Sequence, residues 1–389
     1  MRAFITANIS SAGKSISLEE LAADWFPCAG GGLDSAFVRR GHEGKSILVT
    51  GAGGWIGSAL ARILYQAAPR RLVLLDHAEH DLFQIYRDLT QLVPAHKTEI
   101  IPILGDICDE RLLQSLLRHC QPSFIYHLAA AKHVSLAESN PVAVVCNNAI
   151  GTYKLAVAAQ AHGTARLIMV STDKAANPRG LMGASKRVAE LVLLSLSGST
   201  EMKAVRFGNI FGSRGSVVPI FLQQISCGGP VTVTHPDVTR YILSLCQGIH
   251  LILRAAVTGR MENIFVPEFG RQINILQLAE CLIRRAGYLP HQEIQIQFTG
   301  LQPGEKISED LIAGNEFTST ERDNGLLGVH SPGMPAPDLH RAIARMEKTA
   351  KQFDLVALLD MLSELVPGYK PSETLLASSA VQYCGPEVL

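Results

Sequence analysis

Ser46-Ile47-Leu48-Val49-Thr50-Gly51-Ala52-Gly53-Gly54-Trp55-Ile56-Gly57 is the stretch on which the reading of this chain turns. Residues 46–50 are short, mostly apolar and β-branched, and read as a buried strand. Residues 56–66 carry a helical apolar period. Between them, Gly51, Gly54 and Gly57 form a G-x-x-G-x-x-G turn. That spacing permits a tight turn, lets backbone amides approach a pyrophosphate, and brings helix close to strand. A lone glycine run is common in flexible loops. Here a strand precedes it, a helix follows, and an acid, Asp76, ends the next apolar stretch. A dinucleotide-binding turn requires that context.

The same rhythm continues outward. Strands are expected at 71–75, 100–104, 124–127, 167–171 and 204–207, and helices at 82–92, 110–118, 141–161 and 182–196. Alternation of this kind predicts an α/β fold with a doubly wound parallel sheet over 45–208. Beyond 209 the pattern loosens, with short strands at 231–234, 264–266 and 294–298 and helices at 219–225, 242–256 and 275–286. This predicts a smaller α/β substrate-binding region, 209–313, interleaved with the sheet. Residues 314–389 read as a C-terminal extension, mobile over 314–335 and ending in a helix at 355–365. Residues 1–44 read as an N-terminal extension, with Ser17-Leu18-Glu19-Glu20 as a capping box and Gly30-Gly31-Gly32 as a linker.

Composition narrows the function classes. Lys plus Arg is 35 and Asp plus Glu is 35, so no net field favours nucleic acid. The eight cysteines, at 28, 108, 120, 146, 227, 246, 281 and 384, include no C-x-x-C and no zinc spacing. They read as apolar packing residues in a reducing compartment, and no metal site is expected. The apolar run 241–257 is broken by Gln247, His250 and Arg254 and reads as an amphipathic core helix. No secretory leader is evident. A cytoplasmic protein without membrane insertion is the expectation.

At the cofactor end, Asp76 is placed to accept hydrogen bonds from an adenosine ribose and to repel a 2′-phosphate, favouring NAD over NADP. It could instead only cap the next helix. Asp106, followed by Ile107, could reach an adenine amino group or cap a helix. Trp55 and Ile56 in the turn and Ala129 after the strand at 124–127 are further candidates for contact with the cofactor, and Trp55 is expected to pack under the loop.

The reaction centre is expected beyond the strand 167–171, where Thr172, Asp173 and Lys174 place an alcohol, a carboxylate and an amine side by side. Ligands of open α/β sheets bind outside the carboxyl ends of the strands. Met182-Gly183-Ala184-Ser185-Lys186 then has the spacing of the Tyr-x-x-x-Lys pair of short-chain dehydrogenases, with methionine in place of the phenol. Lys186 lies one helical turn after Met182, on the same face. Methionine cannot take a proton, so Lys186 keeps only the role of holding a nicotinamide ribose. The plainer readings are a loop ion pair for Asp173 and Lys174, a surface lysine at 186, and core filler at 182.

Five motifs in order carry a resemblance: Gly51-Ala52-Gly53-Gly54; His127-Leu128-Ala129-Ala130-Ala131-Lys132-His133-Val134; Ser171-Thr172-Asp173-Lys174-Ala175-Ala176-Asn177-Pro178; Arg206-Phe207-Gly208-Asn209 with Gly212-Ser213-Arg214-Gly215-Ser216-Val217-Val218-Pro219; and Pro303-Gly304-Glu305-Lys306. Over about 45–311 the chain resembles the UDP-N-acetylglucosamine 4,6-dehydratases of polysaccharide biosynthesis, in the extended short-chain dehydrogenase superfamily. The Met-x-x-x-Lys form is similar to the branch whose larger members carry N-terminal membrane helices. Those helices are missing here, and residues 15–44 resemble the juxtamembrane remnant.

The resemblance implies a hydro-lyase with tightly bound NAD, which takes a hydride from C4 of a UDP-N-acetylhexosamine and returns it to C6. Lys174 would remove the C5 proton, Asp173 would protonate the departing C6 hydroxyl, and Thr172 would bond the 4-hydroxyl. A neutral Lys174 requires a depressed pKa, from burial or from Lys132 or Lys186 nearby, and Asp173 requires a raised one. The resemblance also implies Lys132, His133, Asn209, Val218, Pro219, Arg240 and Glu305 as contacts to the UDP-sugar, and a homo-oligomer. Pro219 could instead only start a helix, and Arg240 could only cap a sheet edge. Two departures stand out: Gln302 replaces an arginine that can clamp the diphosphate, and Ala131 replaces a bulkier residue. The alternatives are an epimerase or 4-keto reductase of the same fold, or a non-catalytic paralogue that binds NAD and a nucleotide sugar.

Overall fold

The computed structural model describes residues 9–11, 14–16, 21, 34–92, 97–196, 198–268, 271–323, 325–373 and 375–376. The capping box at 17–20, the glycine run at 30–32, Cys28 and Cys384 lie outside them. A nine-stranded sheet forms the centre. Its strands are β1 (Ser46–Thr50), β2 (Arg71–Asp76), β3 (Glu99–Leu104), β4 (Phe124–His127), β5 (Arg166–Thr172), β6 (Glu201–Phe207), β7 (Ile264–Pro267), β8 (Phe317–Asp323) and β9 (Leu326–His330).

The lateral order is β8-β9-β7-β6-β5-β4-β1-β2-β3. Neighbours from β3 across to β7 are parallel. The hairpin β8–β9 adds antiparallel to β7. The chain steps outward from β1 to β3 and then returns to place β4 on the other side of β1. The order therefore reverses between β1 and β4, and ligands of open sheets bind at such a switch point.

Period-two alternation divides the apolar residues of the sheet between its faces. Leu48, Val73, Leu75 and Ile125 join one core, with Leu113, Ala156, Met182 and Val188 from the helices. Ile47, Val49, Leu72, Leu74 and Tyr126 join the other, with Leu60, Leu64 and Ile252. A third core, around Val218, Phe221, Ile242 and Leu278, lies under the smaller sheets. Those are Arg271–Asn274 with Thr239–Leu243 and Asn209–Ile210, and Val231–Val233 with Ile296–Phe298.

Four expectations need correction. The run 242–256 is not one helix: Ile242 and Leu243 end the strand Thr239–Leu243, and the helix is Leu245–Val257. Ser244 separates them by a reciprocal capping box with Gln247. The segment 314–335 contains the hairpin β8–β9, anchored by buried Leu326 and Val329. An unforeseen amphipathic helix, Ala336–Lys351, buries Leu339, Ile343 and Met346. The helix over 141–161 is interrupted by a π-helical turn, Cys146–Gly151.

By length and composition Pro141–Ala161 could cross a membrane, with mean hydropathy 1.3, but 61% of its most apolar window is buried inside the fold. It packs against the helices Glu110–Cys120 and Leu181–Ser195 and acts as a core helix.

Candidate active site

The glycine turn is built by contact. Gly51 has φ +66°, and a Cβ on it would sit 2.7 Å from the backbone nitrogen of Ala129. A Cβ on Gly57 would fall 2.0 Å from the Gly51 carbonyl oxygen. A side chain at Gly57 would push the helix Trp55–Gln66 off the turn, and one at Gly51 would collide with the chain after β4. Asp76, at the end of β2, accepts from Gly53 N at 2.8 Å and from Ala78 N at 2.9 Å. It therefore fixes the turn and the bend at Ala78, while the next helix, Glu79–Gln91, starts without a side-chain cap, so Asp76 is not its cap. Trp55 and Ile56 pack against the core below the turn, and Trp55 Nε1 is buried without a hydrogen-bond partner among the described residues.

Across the switch point, His127 at the end of β4 is locked as a neutral imidazole. Thr152 Oγ1 donates to Asn148 O at 2.7 Å, so it accepts from His127 Nε2 at 2.9 Å. Nδ1 then accepts from Thr50 Oγ1 at 2.8 Å. Burial, assisted by the charge of Lys186, holds this ring down at about 3. Within the π-helical turn, buried Asn148 accepts from Ala131 N at 2.8 Å. It donates to Ala131 O and to Ser185 Oγ, each at 3.0 Å. The turn thus ties the loop after β4 to the helix Leu181–Ser195.

That helix carries Met182 and Lys186. A Cβ on Gly183 would lie 2.2 Å from the Lys174 carbonyl oxygen, so the helix packs directly on the chain after β5. Lys186 is 4% exposed and forms no hydrogen bond or ion pair with a described residue. Burial pushes its amine down to about 8, with Glu190 partly opposing. A lysine at 186 is therefore a buried cation and not a surface residue. A buried cation without a hydrogen-bonded partner among the described residues, an orphaned indole N–H and the start of the helix Trp55–Gln66, which has no side-chain cap, together fit an anionic dinucleotide with ribose hydroxyls.

The candidate reaction centre is built on a single 3-10 turn, Asp173–Ala175, capped by Thr172, whose Oγ1 accepts from Lys174 N at 3.3 Å. Thr172 Oγ1 donates to Asp173 Oδ1 at 2.9 Å, and Lys174 Nζ donates to the same oxygen at 3.0 Å. Asp173 is fully buried, and its Oδ2 has no hydrogen-bond partner among the described residues. A second carboxylate arrives from far along the chain: Glu309 Oε1 lies 3.5 Å from Lys174 Nζ.

The expected depression of Lys174 is not found. Burial alone would lower its amine, but Asp173 and Glu309 outweigh burial and raise it. The cation opposing them is Arg240, not Lys132 or Lys186. Lys174 is an ammonium ion here. Burial, reinforced by Asp173, pushes the Glu309 carboxyl up. Val134, Lys174, Arg179, Met182, Lys306 and Glu309 line a narrow cleft at this centre.

The other expected residues divide. Arg240 donates to Glu305 Oε1 at 2.6 Å, and Glu305 Oε2 accepts from Gln302 N at 3.0 Å. Arg240 therefore does more than cap a sheet edge: with Glu305 it holds the loop that brings Glu309 to Lys174. Lys132 and His133 are exposed. Lys132 Nζ donates to Arg214 O at 3.0 Å, and Arg214 pairs with Asp81 at 2.8 Å. Asn209 lies on the short strand beside Thr239–Leu243. Pro219 sits in the first turn of the helix Val217–Ser226. Val218, on that helix, is 1% exposed and belongs to the third core. Asp106 is exposed and accepts from Cys108 N, while Asp109 caps the following helix, so Asp106 is not the N-cap. Ile107 is buried.

Reading the sequence missed Glu309 and a buried charge network behind β5. Ser171 Oγ donates to Glu190 Oε1 at 2.6 Å. Arg206 is bound by Glu190 at 2.6 Å and by Glu316 at 2.8 Å, all three being fully buried side chains. Arg206 also donates to Leu311 O at 2.8 Å, which ties the segment after Glu309 to the sheet.

Comparison with known proteins agrees with this architecture. The chain is 41% identical over 73% of its length to the capsular polysaccharide biosynthesis protein CapD of Staphylococcus aureus, covering 48% of that protein. It spans about half the length of the first curated relatives it matches. It is 30% identical to a UDP-N-acetylglucosamine 4,6-dehydratase (inverting) of Campylobacter jejuni, over 70% of this chain and 79% of that one. UDP-glucose 4-epimerases are also among its relatives, at 27 to 29% identity. The structure of DesIV, a dTDP-glucose 4,6-dehydratase from Streptomyces venezuelae solved with NAD and TYD bound, shares the fold at TM-score 0.59 and 22% identity, over 79% of this chain and 98% of that one. Residues 47–329 match the family described as polysaccharide biosynthesis protein, and to that family, within the extended short-chain dehydrogenases, the chain belongs.

Proposed function

We propose that this chain dehydrates a UDP-N-acetylhexosamine, most simply UDP-N-acetylglucosamine, to a UDP-4-keto-6-deoxy sugar for a surface glycan, in the cytoplasm and as a homo-oligomer. One observation carries the reading. Thr172, Asp173 and Lys174 form a bonded alcohol–acid–amine row at the carboxyl end of β5, beside Met182, which cannot exchange a proton. Simple alcohol oxidation needs a phenol at 182 and no acid–amine pair. Elimination of water needs one group to take a proton from C5 and another to give one to O6.

NAD would be held by the amides after Gly51, by Asp76 and by Lys186, and when bound it supplies the hydride acceptor for C4 and the donor for C6. Thr172 Oγ1 orients the 4-hydroxyl. Lys174 Nζ takes the C5 proton once it has shed its own. Asp173, whose Oδ2 has no hydrogen-bond partner among the described residues, receives that proton from Lys174 across their 3.0 Å hydrogen bond and passes it to the departing O6. Arg179 lines both this cleft and the neighbouring groove with Glu305, Lys306 and Asp310. It makes no hydrogen bond or ion pair with a described residue. Its guanidinium is available to the UDP diphosphate where Gln302 supplies no charge.

The test is an NMR time course with UDP-N-acetylglucosamine, NAD and purified protein in heavy water. The expected product is a 4-keto-6-deoxy sugar with solvent deuterium at C5 and no accumulating NADH. A product that keeps its C6 oxygen would select epimerisation. Unchanged substrate with folded, NAD-loaded protein would leave a binding role.

A further inference from the structure

The reaction centre contains one carboxylate too many for the acid–amine pair alone. Asp173 already satisfies Lys174 with a 3.0 Å hydrogen bond. Yet Glu309 is 3% exposed, its Oε1 lies 3.5 Å from the same Nζ, and its Oε2 is buried with no hydrogen bond among the described residues. A buried carboxylate with an unused oxygen is costly. Here its loop is held in place on several sides. Arg240 binds Glu305, Lys306 Nζ donates to Ala176 O at 3.3 Å, and Gln272 Nε2 donates to the Glu309 carbonyl at 3.3 Å. The loop delivers Glu309 to the cleft that Met182 also lines.

From this geometry we propose that Glu309 is a positioning residue that acts through Lys174, holding it as an ammonium in the open centre and receiving its proton when substrate closes the cleft. The inference rests on the dehydratase reading for its purpose, though not for its test. The step balances. An N–H bond of Lys174 breaks and an O–H bond of Glu309 forms. One cation and one anion become an amine and a neutral acid, with no change in net charge. Removing water favours the neutral pair, because isolated charges lose more by desolvation than neutral groups do. The amine so released can take the C5 proton.

The charged groups facing this pair are Asp173 from the 3-10 turn, Arg240 from the strand Thr239–Leu243, and Lys306 and Asp310 from the loop itself. Lys306 Nζ is 3.9 Å from Glu309 Oε2 and 3.3 Å from Asp310. Burial and Asp173 both raise the Glu309 carboxyl, which makes it a better acceptor than an ordinary glutamate.

The experiment measures Lys174 without substrate. Full-length wild type, Glu309→Gln and Glu309→Asp are treated with an amine-acylating reagent across a pH series, and modification of Lys174 is quantified by peptide mass spectrometry against exposed Lys45. Losing an anion at this distance lowers the Lys174 midpoint by about one to two pH units in Glu309→Gln. Glu309→Asp keeps the charge and should lie between that variant and wild type. A Glu309→Gln midpoint equal to wild type, in protein with an unchanged thermal melt, overturns the proposal. If Glu309→Gln does not fold, a Glu309→Asp midpoint at or above the wild-type value overturns it instead. Because labelling needs no UDP-sugar, its result stands apart from whether the chain dehydrates one.

Discussion

Two lysines, one on the chain after β5 and one on the helix packed against it, have been driven in opposite directions by their surroundings. Lys186 is 4% exposed and has no hydrogen-bonded or ion-paired partner among the described residues, and its amine is brought down to about 8. Lys174 lies between Asp173 and Glu309 and is raised. Burial acts on both in the same direction. What differs is how strongly the fold supplies an anion: Glu190 only partly opposes burial at Lys186, whereas Asp173 and Glu309 outweigh it at Lys174.

The strongest way to break this contrast is to delete each amine. Lys174→Ala is expected to lower turnover by about 10²–10⁴-fold, the usual worth of a proton-transfer group, with NAD affinity little changed. Lys186→Ala should instead lose NAD affinity, read by cofactor retention on gel filtration. Equal behaviour of the two variants would erase the distinction. Next in size is the support behind β5. Arg206→Met strands Glu190 and Glu316 in the core and should cost about 3–5 kcal/mol, seen as an earlier thermal melt.

The pH response sharpens the contrast further. The folded chain releases the Lys186 proton at about 8, against the ordinary lysine value of 10.5. The unfolded chain holds that proton longer, so this group makes stability rise with pH across that window. Lys174 has the opposite sign: its contribution is present below the ordinary value and is lost as pH climbs past its raised folded value. NAD affinity of the apo-protein is expected to fall as pH passes about 8, and Lys186→Met should flatten that limb in a titration followed by calorimetry. The smallest effect belongs to a position remote from both lysines. Ser244→Ala removes the cap between strand and helix and should cost about 1 kcal/mol, with turnover untouched.

Much of the cofactor half was legible because its logic is local. Gly51 to Gly57, Asp76, and the one-turn spacing of Met182 and Lys186 lie within single strand–turn–helix units, where chain neighbours are also neighbours in space. The parallel sheet followed from the same alternation. Thr172, Asp173 and Lys174 were visible for that reason too, but the charge state of Lys174 was not. It depends on Glu309, which the Pro303-Gly304-Glu305-Lys306 loop returns from the other end of the fold. Likewise nothing near Arg206 announces Glu316. The division of 239–257 into strand and helix was readable in principle, since Ser244 and Gln247 have capping-box spacing. An unbroken apolar run masked it. The hairpin β8–β9 was hidden by the Thr, Asn and Gly content that also marks loops.

Glu316 makes the hairpin that follows it part of the body of the fold and not a trailing appendix. Its carboxylate neutralises Arg206 beneath the very strand that ends in Thr172. A polypeptide cut just ahead of 316 would keep every motif named above and still lose one of the two carboxylates that hold Arg206, leaving Glu190 to do so alone.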